Sequence, residues 1–499
     1  MIVALLLCAV ILVSNSWHHF HNVQPGWDEA WYLGTSFDLF YALKEGIGLF
    51  ASHYIHALKF TAPLVTVFPL PLYFLFGPSE RLALWVNDIW LLLTWWAVYA
   101  LARDFWGEKV GWIAVSCVAL IPLNYGLSRS YLIEPALTAM VAWTHWALWK
   151  HAQEEKSRGI LLGVLLGVGI LTKTSFLLYV MGSLWIFRKA LLRTMFVTLG
   201  LALLMAMTWY VPNARYVIPH ALSAAWGAAS RPQDFGPFWS LGGIFNFLYS
   251  VLRDGFSWGY GLAAVLIFSW DKNWRKKGFF SEKASQILLG WFLIPFFVCA
   301  FLTFKDIRYL VPAFPAVALL LSRSVFYVIK TPWGKGFFFL IVLLLLKTLS
   351  TQTLGWPVGP PFRFNGPPHP NGFWDRQAVL DVLTQREKNK PLLVGMNFDY
   401  PDFNFRSLES LTKLHQQPIQ FDNLNYISKS PEVFLKKKWP HRYVLIVKGI
   451  MPFNLDNSIN RHRVFLQEAF EKGLIPSKRV VVLPLTSGIE VDVYELSSS

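Results

Sequence analysis

The chain has 499 residues, 54% of them hydrophobic and 17% aromatic, with a mean hydropathy of +0.40. That is more apolar surface than a soluble protein of this length can bury, so a soluble globular enzyme is excluded. The net charge of +15 would suggest a nucleic-acid partner in a soluble chain. Here the cations cluster in short loops between apolar runs, where they report membrane topology, and no nucleic acid is inferred.

In chain order, residues 1–16 are apolar but have neither a basic leader nor a small-residue cleavage pattern, and are read as a retained first span. Further apolar segments fall near 83–102, 110–127, 131–149, 159–172, 174–187, 194–212, 256–270, 284–302, 308–328 and 336–354, which makes about 11 spans by length. With the first span running outward, the loops 103–109, 150–158, 188–193, 271–283 and 329–335 are cytoplasmic and hold fifteen Lys and Arg. The opposite short loops hold only Arg129, Lys173, Lys305 and Arg308, so the positive-inside bias favours this orientation. Cys8, Cys117 and Cys299 all lie within apolar segments, which leaves no disulfide framework and no thiolate metal site. The absence of an Asn-x-Ser/Thr sequon fits a bacterial inner membrane.

The first outer loop, 17–82, is rich in aromatic residues and is expected to form short amphipathic helices at the membrane interface. The second, 213–255, combines Arg215, Arg231, Asp234, Arg253 and Asp254 with prolines and glycines, and a lid or access element is expected there. A Pro/Gly linker at 355–374 separates the transmembrane domain, 1–354, from a domain of soluble character, 375–499. In that domain 391–395, 443–447 and 480–483 read as strands, and 375–388 and 463–473 as helices. The fold class is therefore a polytopic α-helical membrane protein with a small C-terminal α/β domain on the outer face.

Four places carry candidate chemistry. Trp27-Asp28-Glu29-Ala30-Trp31-Tyr32 sets an acidic pair among aromatics just after the first span. Alone, it could simply cap and charge a helix start. Glu134, just before Pro135 at the mouth of a span, is costly so close to hydrocarbon and is a functional candidate for that reason; its simpler account is an ion pair with Arg129. Lys59 and the cluster Lys305-Asp306-Ile307-Arg308-Tyr309 place cations on the outer side, where topology gives no reason for them. A phosphate suits them, and snorkelling is the plainer alternative. Acids and cations together suit transfer of a group from a phosphate-bearing lipid, with a carboxylate taking the acceptor's proton and the cations stabilising the departing phosphate. Asp28 and Glu134 offer hard oxygen ligands for a divalent cation such as Mg²⁺, Mn²⁺ or Ca²⁺. No Walker loop, dinucleotide glycine fingerprint or cytoplasmic Asp-x-Asp is present, so the donor is not expected to be a soluble nucleotide.

These residues resemble the GT-C class of membrane glycosyltransferases, in the branch of the dolichyl-phosphate-mannose protein mannosyltransferases and the bacterial lipid A aminoarabinose transferases. The resemblance rests on Asp28-Glu29, Lys59 before Pro63-Leu64, Phe76-Gly77-Pro78 leading to Arg81, Arg129 with Glu134, and above all Lys305-Asp306-Ile307-Arg308-Tyr309 with Pro312 and Pro315. It implies inverting transfer of a sugar from a polyprenyl-phosphate donor to an acceptor hydroxyl on the outer face. Residue by residue, it implies Asp28 as base or metal-proximal acid, with Glu29 beside it, and Glu134 as the second acid. Lys59 and Arg308 would bind the donor phosphate, supported by Lys305, Arg129 and Tyr309. A Glu stands at 134 where many relatives carry Asp, which leaves metal dependence open. The competing class is a lipid or solute transporter, but its binding groups belong near the midplane. In this chain the span interiors are nearly free of charge, Asp88 and Arg323 excepted.

Overall fold

A computed structural model describes residues 25–153, 159–226, 240–271, 282–302, 306–354, 375–387, 390–398, 403–424, 439–448, 457–484 and 489–497. The first span, Lys305, Cys8 and the linker lie outside the described residues. The chain divides into two compact units: 1–19, 45–69 and 81–367 form the first, and 20–44, 70–80 and 368–499 the second.

The first unit is built from apolar helices. Among the described residues, four helices are long and apolar enough to cross a membrane: Glu80–Trp106, Met195–Ser223, Lys283–Phe301 and Ile307–Val328. A fifth crossing forms if Glu108–Ala119 and Pro122–Ser128, bent by 67°, count as one. Gly159–Thr172, Phe176–Ile186 and Trp258–Trp270 are apolar but shorter, and at 1.5 Å per residue each falls short of about 30 Å of hydrocarbon. Lipid gives no hydrophobic drive for helix to meet helix, so close approach depends on small residues. Gly159, Gly163 and Gly167, one turn apart, supply it: a Cβ on Gly163 would stand 2.9 Å from the Thr198 carbonyl oxygen, and one on Gly167 2.9 Å from Met205 Cβ. Of the expected lid region, 213–226 continues the Met195–Trp226 helix, and Leu241–Ser250 is a helix followed by a π-turn over Val251–Phe256.

Three junctions of the first unit matter for the site. Helix Glu134–Gln153 begins at Glu134, with Pro135 in its first turn, where a missing N–H costs nothing. Lys173 follows directly on helix Gly159–Thr172. The 3₁₀ turn Ile307–Ala313 is capped by Asp306, whose carboxylate accepts from the Arg308 backbone N–H at 3.0 Å.

The second unit contains a five-stranded sheet in the order β2-β1-β3-β5-β4, from β1 Leu392–Met396, β2 Ile419–Asn423, β3 Tyr443–Lys448, β4 Ser477–Pro484 and β5 Glu490–Leu496. β2, β1 and β3 are parallel, while β5 is antiparallel to both β3 and β4. Alternation along β3 assigns the layers. Tyr443, Leu445 and Val447 join one core with Val379, Leu380, Leu408 and Leu411 of helices Arg376–Glu387 and Phe405–Leu414. Val444 and Ile446 join the other with Leu466 and Phe470 of helix Asn457–Glu471. The result is a helix–sheet–helix sandwich, the small α/β domain expected from the sequence. β2, β5 and helix Phe405–Leu414 are additions to the elements read there.

Helix Trp27–Glu45 belongs to this second unit and differs from the amphipathic interfacial helix expected of it. Ser36, Phe37 and Phe40 turn toward Tyr73, with Ser36 Oγ 3.1 Å from the Tyr73 hydroxyl and the two Phe rings 5.6 and 5.7 Å from the Tyr ring. Another face, carrying Trp31, Gly34, Asp38 and Tyr41, meets helix Phe405–Leu414. A helix packed on two sides has no need of a single apolar stripe.

Candidate functional site

The first unit brings three of the sequence candidates into one cluster. Glu134 is 3% exposed, and its Oε1 accepts a 2.9 Å hydrogen bond and ion pair from Lys173 Nζ. The Lys173 ammonium also lies 4.4 Å from the Tyr309 ring centroid, in cation–π geometry. Arg308 acts electrostatically on both Glu134 and Lys173, and its guanidinium is oriented by Asp306, with Nε and Nη2 each 3.0 Å from Oδ2. The Tyr179 hydroxyl donates to the Tyr309 carbonyl, and Trp291 Nε1 donates to that of Pro312 at 2.8 Å, pinning the 3₁₀ turn.

Local sequence explains the arrangement. An acid in the first turn and a cation just past a C-terminus both complement the helix dipole, so the placements of Glu134 and Lys173 are each favourable before they meet. Two carboxylates and two cations then balance, as a buried ionic cluster requires. The ion pair shown by Glu134 is with Lys173, 39 residues away. Sequence reasoning counted Lys173 among the four cations of the outer loops but did not assign it to the site. The argument applied to Lys59, a cation where topology needs none, applied to it equally.

Arg129 is buried elsewhere, with its guanidinium 5.3 Å from the Tyr125 ring and acting on the Asp88 carboxylate. Asn87 Nδ2 donates to the Ser130 carbonyl beside it. The other intramembrane exception, Arg323, pairs with Glu282 at 2.7 Å and with Ser285 at 3.3 Å, a helix-to-helix brace.

Lys59 is exposed and reaches over the Tyr216 ring at 5.8 Å. Its backbone is unusual: Leu58 and Lys59 have φ of 59° and 51°, a left-handed conformation that side-chain-bearing residues rarely adopt and that costs about 1–3 kcal/mol each. The Lys59 and Phe60 N–H groups donate two residues back, to Ala57 and Leu58. Trp209 Nε1 and Asn213 Nδ2 anchor the turn at the carbonyls of Ala57 and Ile55.

In the second unit, Asp28 and Glu29 occupy the first turn of helix Trp27–Glu45, and the Ala30 N–H donates to Gly26. The helix starts at Trp27, so Asp28 charges the first turn rather than capping it. Among the described residues no group of three or more His, Cys, Asp or Glu is placed to hold a metal ion. Glu134 already has an ammonium at Oε1, so its donor set as it stands does not fit a divalent cation.

The family described as dolichyl-phosphate-mannose-protein mannosyltransferase matches residues 62–214, which include Arg129, Glu134 and Lys173. An undecaprenyl phosphate-alpha-4-amino-4-deoxy-L-arabinose arabinosyl transferase of Enterobacter sp. (strain 638) is 24% identical over 266 residues, 48% of this chain and 44% of that protein; the match thus spans less than half the relative's length. Among solved structures, ArnT from Cupriavidus metallidurans bound to undecaprenyl phosphate aligns with TM-score 0.62 at 14% identity, covering 99% of this chain and 98% of that one. The archaeal oligosaccharyltransferase AglB from Archaeoglobus fulgidus, in complex with an inhibitory peptide and a dolichol-phosphate, aligns with TM-score 0.55 at 11% identity over 88% of this chain and 69% of that one. The resemblance read from the sequence is borne out, and the fold is that of these polytopic membrane glycosyltransferases.

Proposed function

We propose that the protein transfers a sugar from a polyprenyl-phosphate carrier to an acceptor hydroxyl, with inversion, on the outer face of a bacterial inner membrane. The observation that carries this reading is the Glu134–Lys173 pair with Tyr309 and Arg308 about it: a buried set of acids and cations at helix ends in a chain whose span interiors hold few charges. Such a set suits a reaction that releases an anionic phosphate within a membrane protein. The fifteen-to-four asymmetry of loop cations supports the orientation.

In this reading Asp28 takes the proton from the acceptor hydroxyl as its oxygen attacks the anomeric carbon, and the bond from that carbon to the phosphate oxygen breaks. Glu29 adds negative charge beside the base. Lys59 and Arg308 meet the charge developing on the departing polyprenyl phosphate, with Lys173 and Lys305 adding to the field and Tyr309 shaping it. Glu134 holds Lys173 and keeps the cluster balanced before the donor arrives. Protein cations supply the counter-charge to the departing phosphate. Arg129 acts from the side, through Tyr125 and Asp88.

The test is consumption of labelled undecaprenyl-phosphate sugars by membrane vesicles of both orientations, comparing wild type with Asp28→Asn at equal expression. Loss of a general base lowers the rate by about 10²–10⁴, and consumption should require an exposed outer face. Equal donor loss in the two variants, or movement of a lipid or solute with no donor consumed, would sink the reading in favour of a transporter.

A further inference from the structure

We infer that helix Phe405–Leu414 of the C-terminal domain positions the acidic pair Asp28-Glu29, so that the tail is a working part of the active site and not a passive cover. The inference rests on the role proposed above for Asp28.

Four contacts, all within one compact unit, carry it. Gly34 packs so closely that a Cβ there would stand 3.2 Å from Lys413 Cδ and 3.4 Å from Ser410 Cα. Lys413 Nζ pairs with Asp38 Oδ2 at 2.6 Å. The Arg406 guanidinium lies 4.5 Å from the Trp31 ring centroid, and the Tyr41 hydroxyl donates to the Leu414 carbonyl at 2.8 Å. Residues 31, 34, 38 and 41 are spaced three and four apart and therefore form one stripe of the helix, three turns long. The same clamp is braced from behind. Buried Arg376 donates to the Ser407 carbonyl at 2.8 Å and to both oxygens of Glu80 at 3.1 Å, while Tyr73 closes the opposite face at Ser36.

The stripe begins at Trp31, one turn from Asp28, so contacts along the helix body set the direction in which its first turn points. Asp28 lies six residues from Gly34, about 9 Å along the axis, so a tilt of about 10° about Gly34 moves it by roughly 1.6 Å. A displacement of that size costs about a hundredfold where a base must meet its proton. Close packing also accounts for a glycine, a poor helix former, standing mid-helix at 34: a Cβ there would press on Lys413 at 3.2 Å, and a bulky side chain such as leucine would press harder on both Lys413 and Ser410.

The test uses the full-length protein in nanodiscs with labelled undecaprenyl-phosphate sugar as the probe. Asp38→Lys and Lys413→Asp each set like charges face to face and should lower the rate of donor consumption about fivefold or more, with little change in the KM for donor. The double reversal should return the rate to within about twofold of wild type. Gly34→Leu should lower it about a hundredfold. Hydrogen exchange provides the second readout: amides of 27–33 should exchange faster in the single variants and in Gly34→Leu, while strands β1 and β3 stay protected as in wild type. Unchanged rates in Gly34→Leu and both single reversals overturn the inference, as does a double reversal that stays slow while the sheet is native. Wild type that consumes no donor overturns the catalytic reading and this inference with it. That failure is distinguished by its appearing before any variant is made.

Discussion

The Glu134–Lys173 pair gives the most quantitative prediction. Lys173→Met keeps the length of the side chain and removes its charge, leaving the Glu134 carboxylate 3% exposed and without its 2.9 Å partner. Breaking a buried pair from one side costs about 3–5 kcal/mol. Two features reduce that here: the Lys173 side chain is 21% exposed, and Arg308 also acts on Glu134. A loss of about 2–3 kcal/mol follows, read as a fall of about 5 °C in the unfolding midpoint at fixed scan rate. Adding Glu134→Gln removes the stranded charge, and the double variant should recover to within about 1 kcal/mol of wild type. Donor consumption should behave differently, falling about a hundredfold in Lys173→Met and staying low in the double variant, because neutrality restores packing but not the field at the phosphate. Additive losses of stability, with no recovery in the double variant, would refute the pairing. Full activity in the double variant would refute its role.

Lys59→Gly should separate strain from charge: relief of the φ of 51° adds about 1 kcal/mol of stability, while loss of the ammonium raises the KM for donor about tenfold. Chelation with EDTA should leave donor consumption within about twofold, since a cation at Glu134 would first have to displace Lys173; a large fall would show that it does so. Gly163→Ala drives a Cβ to 2.9 Å from the Thr198 carbonyl and should lower stability by about 1–3 kcal/mol, measured as the unfolding midpoint. In the C-terminal domain, burial raises the Glu409 carboxyl above the ordinary 4.5, with Lys413 pulling the other way. Its folded value is the higher one, so its contribution is fully present at low pH and is lost as pH rises through that value. Glu409→Gln should therefore flatten the pH dependence of protection in helix Phe405–Leu414 across that window, and an unchanged profile would refute it.

The membrane class, the C-terminal α/β domain and the acids and cations at helix ends were legible in the sequence because each depends on local composition. A run of apolar residues must find lipid, alternation as in Tyr443-Val444-Leu445-Ile446-Val447 must make a strand with two buried faces, and an ionisable residue beside hydrocarbon needs a reason. β5 carried a similar alternating signal in Val491 and Val493. β2 alternates as well, in Ile419-Gln420-Phe421-Asp422, but over only five residues at the sheet's edge, paired with β1. Partnership was decided only by the tertiary structure. Glu134 has a cation five residues before it, yet pairs with one 39 residues away, because the turn after Thr172 and the first turn of helix Glu134–Gln153 end at the same place. Helix Trp27–Glu45 has the composition of an interfacial helix, yet packs between Tyr73, 37 residues from Ser36, and helix Phe405–Leu414, 373 residues from Tyr41 at its end, partners that no local pattern encodes. Periodicity specifies which face of an element is buried, and only the closed fold specifies what it is buried against.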